Sequence, residues 1–536
     1  MKKIFYIIIC VMIISGNAIA DTMNPINFGI LNCKTGIERF YALSRCHTEA
    51  LQKGSTVSYQ GIDSLYIEIP NDGCTIPLTC NTDFCNVRIC VMNNVKDMSL
   101  FTLSKEMEYI TIEPSKLRKG AIINQLTNNE LCLISITDSN PWIKERLGFG
   151  HAVYRSDILV IKKGVVTNDP IVSYNTASSQ PSTSFIACTT NRKDIRNIKF
   201  IRHGNSTYKT YLFRVEDSYN VNIHNVVVHT PVNQSLIGDA LISVANSAKV
   251  NLSNIKIDST YSKTDTYGYG ICINNVYDLT VNKLVGHPQW GIFYASNLQC
   301  AHLEDCDINR FDTHCYGKDY VVRDCNFKGL ANPFSSVYGK VSFSRCTFDD
   351  TDPVSLRQDY NANTPFDLSF DSCVFNMTEK HNCILRMNGM SAIENERLEL
   401  KGKNLPNLSI RNCKINFASD VKRWFLVITG KNSYSKPIKH LTEIDVNGLT
   451  LEKDLNFDVS SSVIQTYDSL HVKFKNVVVP NSQGRKKMQV DKASLGSKTI
   501  MYVDGLKVES GSISLLVSAL MHFLMQVCYY IKEIVS

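Results

Sequence analysis

The densest run of reactive side chains lies between His287 and Asp324. It holds His287-Pro-Gln-Trp290-Gly291 and Asn309-Arg310-Phe-Asp312-Thr-His314-Cys-Tyr316-Gly-Lys-Asp319. Asp312 and His314 are two residues apart, which puts both on one face of an extended strand. A carboxylate beside an imidazole can orient it and tune it as a general base. Arg310 can hold a substrate carboxylate or stabilise developing negative charge. Trp290 and Tyr316 offer rings on which a sugar can stack. Asp305 and Asp324 add two more carboxylates; held close together, one of them would keep its proton and support glycoside chemistry. The candidate catalytic residues are thus Asp312, His314 and Arg310, and the candidate substrate-binding residues are Trp290, Tyr316, Asp305 and Asp324. Each also has a structural alternative. Asp312 with His314 can be a hydrogen-bonded pair of the scaffold, Trp290 can pack beside Gly291, and Asp305 and Asp324 can serve the backbone alone.

The elements that must position these residues are visible as an eight-residue pattern repeated from Val221 to Val479. It reads apolar–x–apolar–x–polar–apolar–x–apolar, as in Val221-Asn-Ile-His-Asn-Val-Val-Val228 and Leu408-Ser-Ile-Arg-Asn-Cys-Lys-Ile415. Each half alternates like a strand with one buried face. The phase slips by one residue at the central polar position, so the chain must bend there to keep its apolar face inward. Asn and Asp, the commonest residues at that position, tolerate the left-handed backbone such a corner needs. The residues just after the corner are Val226, Ile255, Leu284, Cys306, Cys325, Cys346, Cys373, Cys413, Leu449 and Val477, at gaps of 29, 29, 22, 19, 21, 27, 40, 36 and 28. A gap near 20 is one compact coil, and longer gaps are coils carrying loops. Strands returning in the same sense on every turn pair in parallel, which predicts an all-β, right-handed parallel β-helix. Asp305 and Asp324 are then corner residues of adjacent coils.

With this repeat the chain resembles the pectin-lyase-like β-helix superfamily, over roughly residues 55–510, in the manner of an exported bacterial member. The resemblance implies the fold, and a fold that hosts lyases, hydrolases, epimerases and adhesins does not select among them. Asp349-Asp350 echoes the paired aspartates of polygalacturonase-like enzymes, but their Gly-His-Gly segment is missing: His203 follows Arg202. Pectate-lyase-like calcium and arginine motifs are not recognisable. Asn309–Gly317 is similar to an Arg-Phe-Asp-x-His stretch of uncharacterised bacterial and phage-associated β-helix proteins, which carries no established activity to these residues.

The start reads as a secretory signal over residues 1–20: Lys2 and Lys3, the apolar run Ile4–Ile14, then Ala18-Ile-Ala20. This predicts an exported protein, periplasmic, cell-surface or extracellular. Losing the two lysines lowers the formal net charge from +7 to +5, a mild value that calls for no nucleic acid and permits a polyanionic glycan. Of the eighteen cysteines left, Cys306, Cys325, Cys346, Cys373 and Cys413 share one inward position on five consecutive coils. They read as a stack of small buried hydrophobes, because parallel Cβ vectors disfavour a disulfide torsion. Cys74, Cys80, Cys85 and Cys90 lack zinc-site spacing, so no metal or other cofactor is expected.

Residues 35–53 predict a short helix ending at Gly54, with Ile37, Phe40, Tyr41 and Leu51 on one face, covering the first coil within an N-terminal segment 21–54. An irregular insertion is expected at about 113–190. Ile513–Ile531 is uncharged, with Ser514, Ser518, His522 and Gln526 making a polar stripe. Residues 511–536 therefore read as an apolar helix that caps the solenoid, forms an interface or associates with a membrane. Two functions fit the sequence. One is a polysaccharide lyase or hydrolase working by acid/base chemistry; the other is a non-catalytic, adhesin-like binder of glycan or protein. The Asp349-Asp350-Thr-Asp352 triplet reads as a solvated turn.

Overall fold

A computed structural model describes residues 21–508 apart from 79–80, 94, 96–97, 144–145, 147–149, 203–209, 230–240, 258–268, 289, 357–365, 382, 389–405, 418–423, 430–442, 452–455, 458–470, 479–488, 491–499 and 504. The expected signal segment and C-terminal helix lie outside these residues. So does His203.

The chain is a right-handed parallel β-helix. One register runs the length of the solenoid: Val221, Val250, Leu279, Ala301, Tyr320, Val341, Leu368, Leu408, Ile444 and Val472 pair in succession, all parallel. Nearly every one of these positions is fully buried in a single core. The corner expected at the polar position is present and left-handed. φ is 57° at Asn225, 50° at Asn254, 55° at Asp305, 53° at Asp324 and 52° at Asn412. Side chains ladder along it, Asn225 Nδ2 donating to Asn197 Oδ1 and Asn254 Nδ2 to Asn225 Oδ1, each at 2.8 Å.

Just inside that corner stand the five stacked thiols. Cys306, Cys325, Cys346, Cys373 and Cys413 are buried and reduced. Each Sγ donates to the carbonyl two residues back, at 3.0 to 3.4 Å, so the thiol fills space and also bonds the corner it follows. Beside them Phe327, Phe348 and Phe375 stack at 5.2 and 5.4 Å.

The helix Gly36–Lys53 starts on a Thr35–Glu38 capping box and stops at left-handed Gly54. Its buried face differs from the one expected. Phe40, Leu43, Cys46, His47 and Ala50 enter the main core, whereas Ile37 and Leu51 are exposed. The 3.6-residue period runs through Cys46 and His47, which hydropathy alone ranks below Ile and Leu. His47 pays no charge inside the core: burial pushes its imidazole down to about 3, and its Nε2 meets Tyr59 Oη at 2.9 Å.

The segment expected to be irregular is an ordered antiparallel sheet. Its strands are Glu108–Tyr109, Leu131–Asp138, Ser156–Lys162, Val165–Val166 and Pro181–Ala187. The solenoid resumes at Lys193–Arg202, which pairs directly on Thr82–Asp83 and Arg88–Val91, so the sheet is inserted between two stacked coils. Leu133, Ile158 and Ile186 pack it on Ala248 of the solenoid. Polar bonds fix it to a second column of left-handed corners, formed by Asp217, Asn246, Asn275 and Asn297. Asn275 Nδ2 donates to Ser135 Oγ at 3.2 Å, and Ser156 N to Asn297 Oδ1 at 3.1 Å.

Candidate functional site

Three successive strands, Tyr269–Gly286, Gly291–Glu304 and Phe311–Arg323, bring the candidate residues together. Phe293 pairs with Phe311 and Tyr294 with Asp312. Phe293 and Phe311 join the core, so Tyr294 and Asp312 stand on the outer face. The register then slips: Ala295 pairs with Thr313, but Ser296 pairs with Cys315. His314 is the extra residue of a β-bulge. A bulge re-aims side chains and accompanies functional sites in many sheets. Asp312 and His314, two residues apart, share the outer face, and the slip falls at His314.

Asp312 is fully buried, and its Oδ2 is the hub of the cluster. Arg310 Nη2 lies 2.8 Å from it and His314 Nε2 3.2 Å, and Tyr269 Oη donates to it at 2.5 Å. Tyr269 Oη also lies 3.0 Å from His314 Nε2. The imidazole is gripped by two rings, Tyr294 edge-on at 4.3 Å and Tyr269 at 5.8 Å. Arg310 stacks its guanidinium 4.9 Å from the centre of the Trp290 ring and donates from Nη1 to the Trp290 carbonyl at 3.3 Å. Gly291 lies beneath the group. A Cβ there would come within 3.0 Å of Arg310 Cδ and 3.2 Å of Tyr269 Cε1, so only glycine leaves both side chains where they are. Burial and the Asp312 charge hold the Tyr269 phenol well above the ordinary tyrosine value, so it stays protonated.

The sequence-derived residues fare differently. Asp312, His314 and Arg310 do converge. Asp312, however, is fully buried, with Arg310 and His314 around it. Trp290 joins the cluster with one ring face already occupied by Arg310. Tyr316 does not stack on any sugar: it is fully buried, with the Trp142 ring of the inserted sheet 4.6 Å away. Its backbone is left-handed, φ 60°, and it packs with Ile143, Ile171 and Cys315. Asp305 and Asp324 occupy equivalent exposed corners as expected, but not as a proton-sharing pair. Arg345 binds Asp324 in two hydrogen bonds, at 2.7 and 2.6 Å, and holds its carboxyl below the usual range. Asp352, read as part of a solvated turn, is buried and bonded to Arg386 and Cys383.

Tyr269 is the residue sequence reasoning missed. A signal existed: Tyr269, Gly291 and Arg310 each precede a post-corner residue, Leu284, Cys306 and Cys325, by fifteen positions. Among the described residues no group of His, Cys, Asp or Glu has the arrangement of a metal site. No helix among them is long and apolar enough to cross a membrane.

The fold and cluster define a parallel β-helix protein with a polar site on one outer face. Solved structures that match the chain include phage tailspikes. The crystal structure of tailspike gp49 from Pseudomonas phage LKA1 aligns with TM-score 0.52 and 13% identity, over 89% of this chain and 84% of that one. Tailspike gp61 from Pseudomonas phage phi297 gives 0.43 and 12%, over 90% and 84%. Gp54 of Acinetobacter baumannii bacteriophage AP22, solved with a capsular saccharide, gives 0.44 and 8%, over 91% and 82%. The likeness to gp49 is one of fold. No protein-family model matches the chain, and no curated protein does.

Proposed function

We propose that the protein is a glycan-active enzyme that cleaves an acidic polysaccharide by β-elimination at the Tyr269–Asp312–His314–Arg310 cluster. The observation that carries this reading is the single buried carboxylate joining a phenol, an imidazole and a guanidinium. Glycoside hydrolysis uses two carboxylates facing the scissile bond. The carboxylate at the centre of this cluster, Asp312, is buried. Elimination instead needs a cation to neutralise a uronate carboxylate, a base for the proton on C5, and an acid for the departing oxygen on C4.

Each role has a candidate. Arg310, partly exposed and pinned by Asp312 and Trp290, faces the carboxylate. Asp312 and Tyr269 both address Nε2 of His314, which favours the tautomer with its proton on Nε2 and makes Nδ1 the base. The phenol of Tyr269, kept protonated, is the acid. The C5–H bond breaks toward the imidazole, a C4–C5 double bond forms, and the C4–O bond breaks as the oxygen takes the phenolic proton. Net, one glycosidic bond becomes an unsaturated end and a reducing end. The substrate would be met after export.

A second reading, an adhesin-like glycan binder, draws on the complete burial of Asp312, which a purely structural ion pair would also show. Incubation of the full chain with acidic and neutral polysaccharides separates the two. Unsaturated products from the wild type, lost in Tyr269→Phe, support the lyase. Reducing ends without unsaturation would make it a hydrolase and overturn elimination. Binding without any product would favour the adhesin.

A further inference from the structure

A groove of about 360 Å³ lies one turn from the cluster, at the ends of three stacked strands. Val228, Ile257 and Gly286 close these strands or stand next to their last residue, and Val285 gives a half-exposed apolar floor. His229, Lys256 and His287 line the groove. Lys328 belongs to the same neighbourhood, because Asp307 bridges it to His287, with Nζ at 3.1 Å and Nε2 at 3.2 Å. Two lysines and two histidines thus meet one carboxylate among the described contacts. The balance of these described groups is positive even with both histidines neutral. The groove adjoins the cluster: the Cβ position of Gly286 lies 2.5 Å from Ile292 Cδ1, next in sequence to Gly291, and that of Gly270 lies 2.7 Å from Ile257 Cδ1, next to Tyr269. Trp290, three residues after His287 in the sequence, carries the ring that Arg310 covers.

We propose that this groove binds an anionic substituent of the polysaccharide, a carboxylate or a sulfate, on a sugar outside the reacting linkage. The inference rests on the glycan reading above and adds a second charged contact to it. Apolar Val285 suits the face of a pyranose ring, and the lysine ammonium groups suit its acidic group. Such a contact lies on a solvated rim, so it is weakened by salt and modest in strength. A chain held at both places reaches from the groove to the cluster, which favours long chains over short ones and cleavage within the chain rather than at its end.

The test is equilibrium binding of polygalacturonate, alginate, chondroitin sulfate and neutral dextran to the full chain. It compares the wild type, Lys256→Glu and the double variant Lys256→Glu/Lys328→Glu. Carboxylated and sulfated chains distinguish the two sources of charge. Lys256→Glu is expected to weaken binding of at least one acidic chain by about tenfold, roughly the worth of reversing one rim charge. Dextran binding should not change. Acidic chains that bind the wild type and both lysine variants equally would overturn the groove and leave the catalytic reading standing. A wild type that binds no chain would overturn both.

Discussion

Gly291→Ala tests whether the cluster is poised for chemistry or merely packed. The new methyl would sit 3.0 Å from Arg310 Cδ and 3.2 Å from Tyr269 Cε1. Carbon atoms settle at about 3.5–4.0 Å, so the two side chains must give by about 0.5 Å. Both are pinned at their polar ends by Asp312, at 2.8 and 2.5 Å, so the movement passes into the cluster. A misplacement of about 1 Å can cost on the order of a hundredfold in rate, and half of it about tenfold. The stability effect is small by comparison. Crowding costs about 1 kcal/mol, and the reduced freedom of the unfolded chain returns up to about 1 kcal/mol. The expected result is a fall of about tenfold in kcat, with thermal unfolding nearly unchanged. Initial rates of unsaturated-product formation and a melting curve on the same preparation give both values. Unchanged kcat would refute the claim that Arg310 and Tyr269 act from their present positions. A fall in stability matching the loss of rate would reduce the effect to packing.

Two further predictions concern the scaffold. Asn225→Ala should cost about 2 kcal/mol, about 1 for an alanine at φ 57° and about 1 for lost ladder bonds, while Asn225→Gly should recover roughly half; hydrogen exchange at coils 219–257 reads both, and equal losses would refute the backbone share. Asp157 is fully buried where the inserted sheet meets Gln299 of the solenoid, and burial pushes its carboxyl up to about 6. A carboxyl raised on folding favours the folded state below its unfolded value of about 4 and loses that advantage as pH rises through about 6, by about 2–3 kcal/mol. Trp142 fluorescence during denaturation should show this slope in the wild type and not in Asp157→Asn; identical slopes would refute the assignment.

How much was legible in the sequence depended on whether a contact lay within one strand or between coils. The corner was legible because a polar residue, most often Asn or Asp, and a phase slip occur together in the octads, and φ at Asn225, Asp305 and Asn412 bears this out. Asp312 and His314 were legible as neighbours on one strand, but the bulge at His314 shows only in the pairing of Ser296 with Cys315. Tyr269 lies 43 residues before Asp312 and reaches it only through coil register. Tyr316 misled because an aromatic in a polar stretch reads as exposed. The inserted sheet, whose Trp142 covers it, is far away in sequence and carries no octad to announce where it docks. That sheet escaped prediction for the same reason: its antiparallel strands lack the corner that marks each coil.

The most direct test of the central claim compares the wild type with the double variant Asp312→Asn/His314→Ala on acidic polysaccharides, following ultraviolet absorbance of unsaturated ends. The elimination account predicts steady accumulation with the wild type and none with a double variant that keeps its β-rich circular dichroism. Equal accumulation by both proteins would place the chemistry elsewhere on the chain and contradict the account.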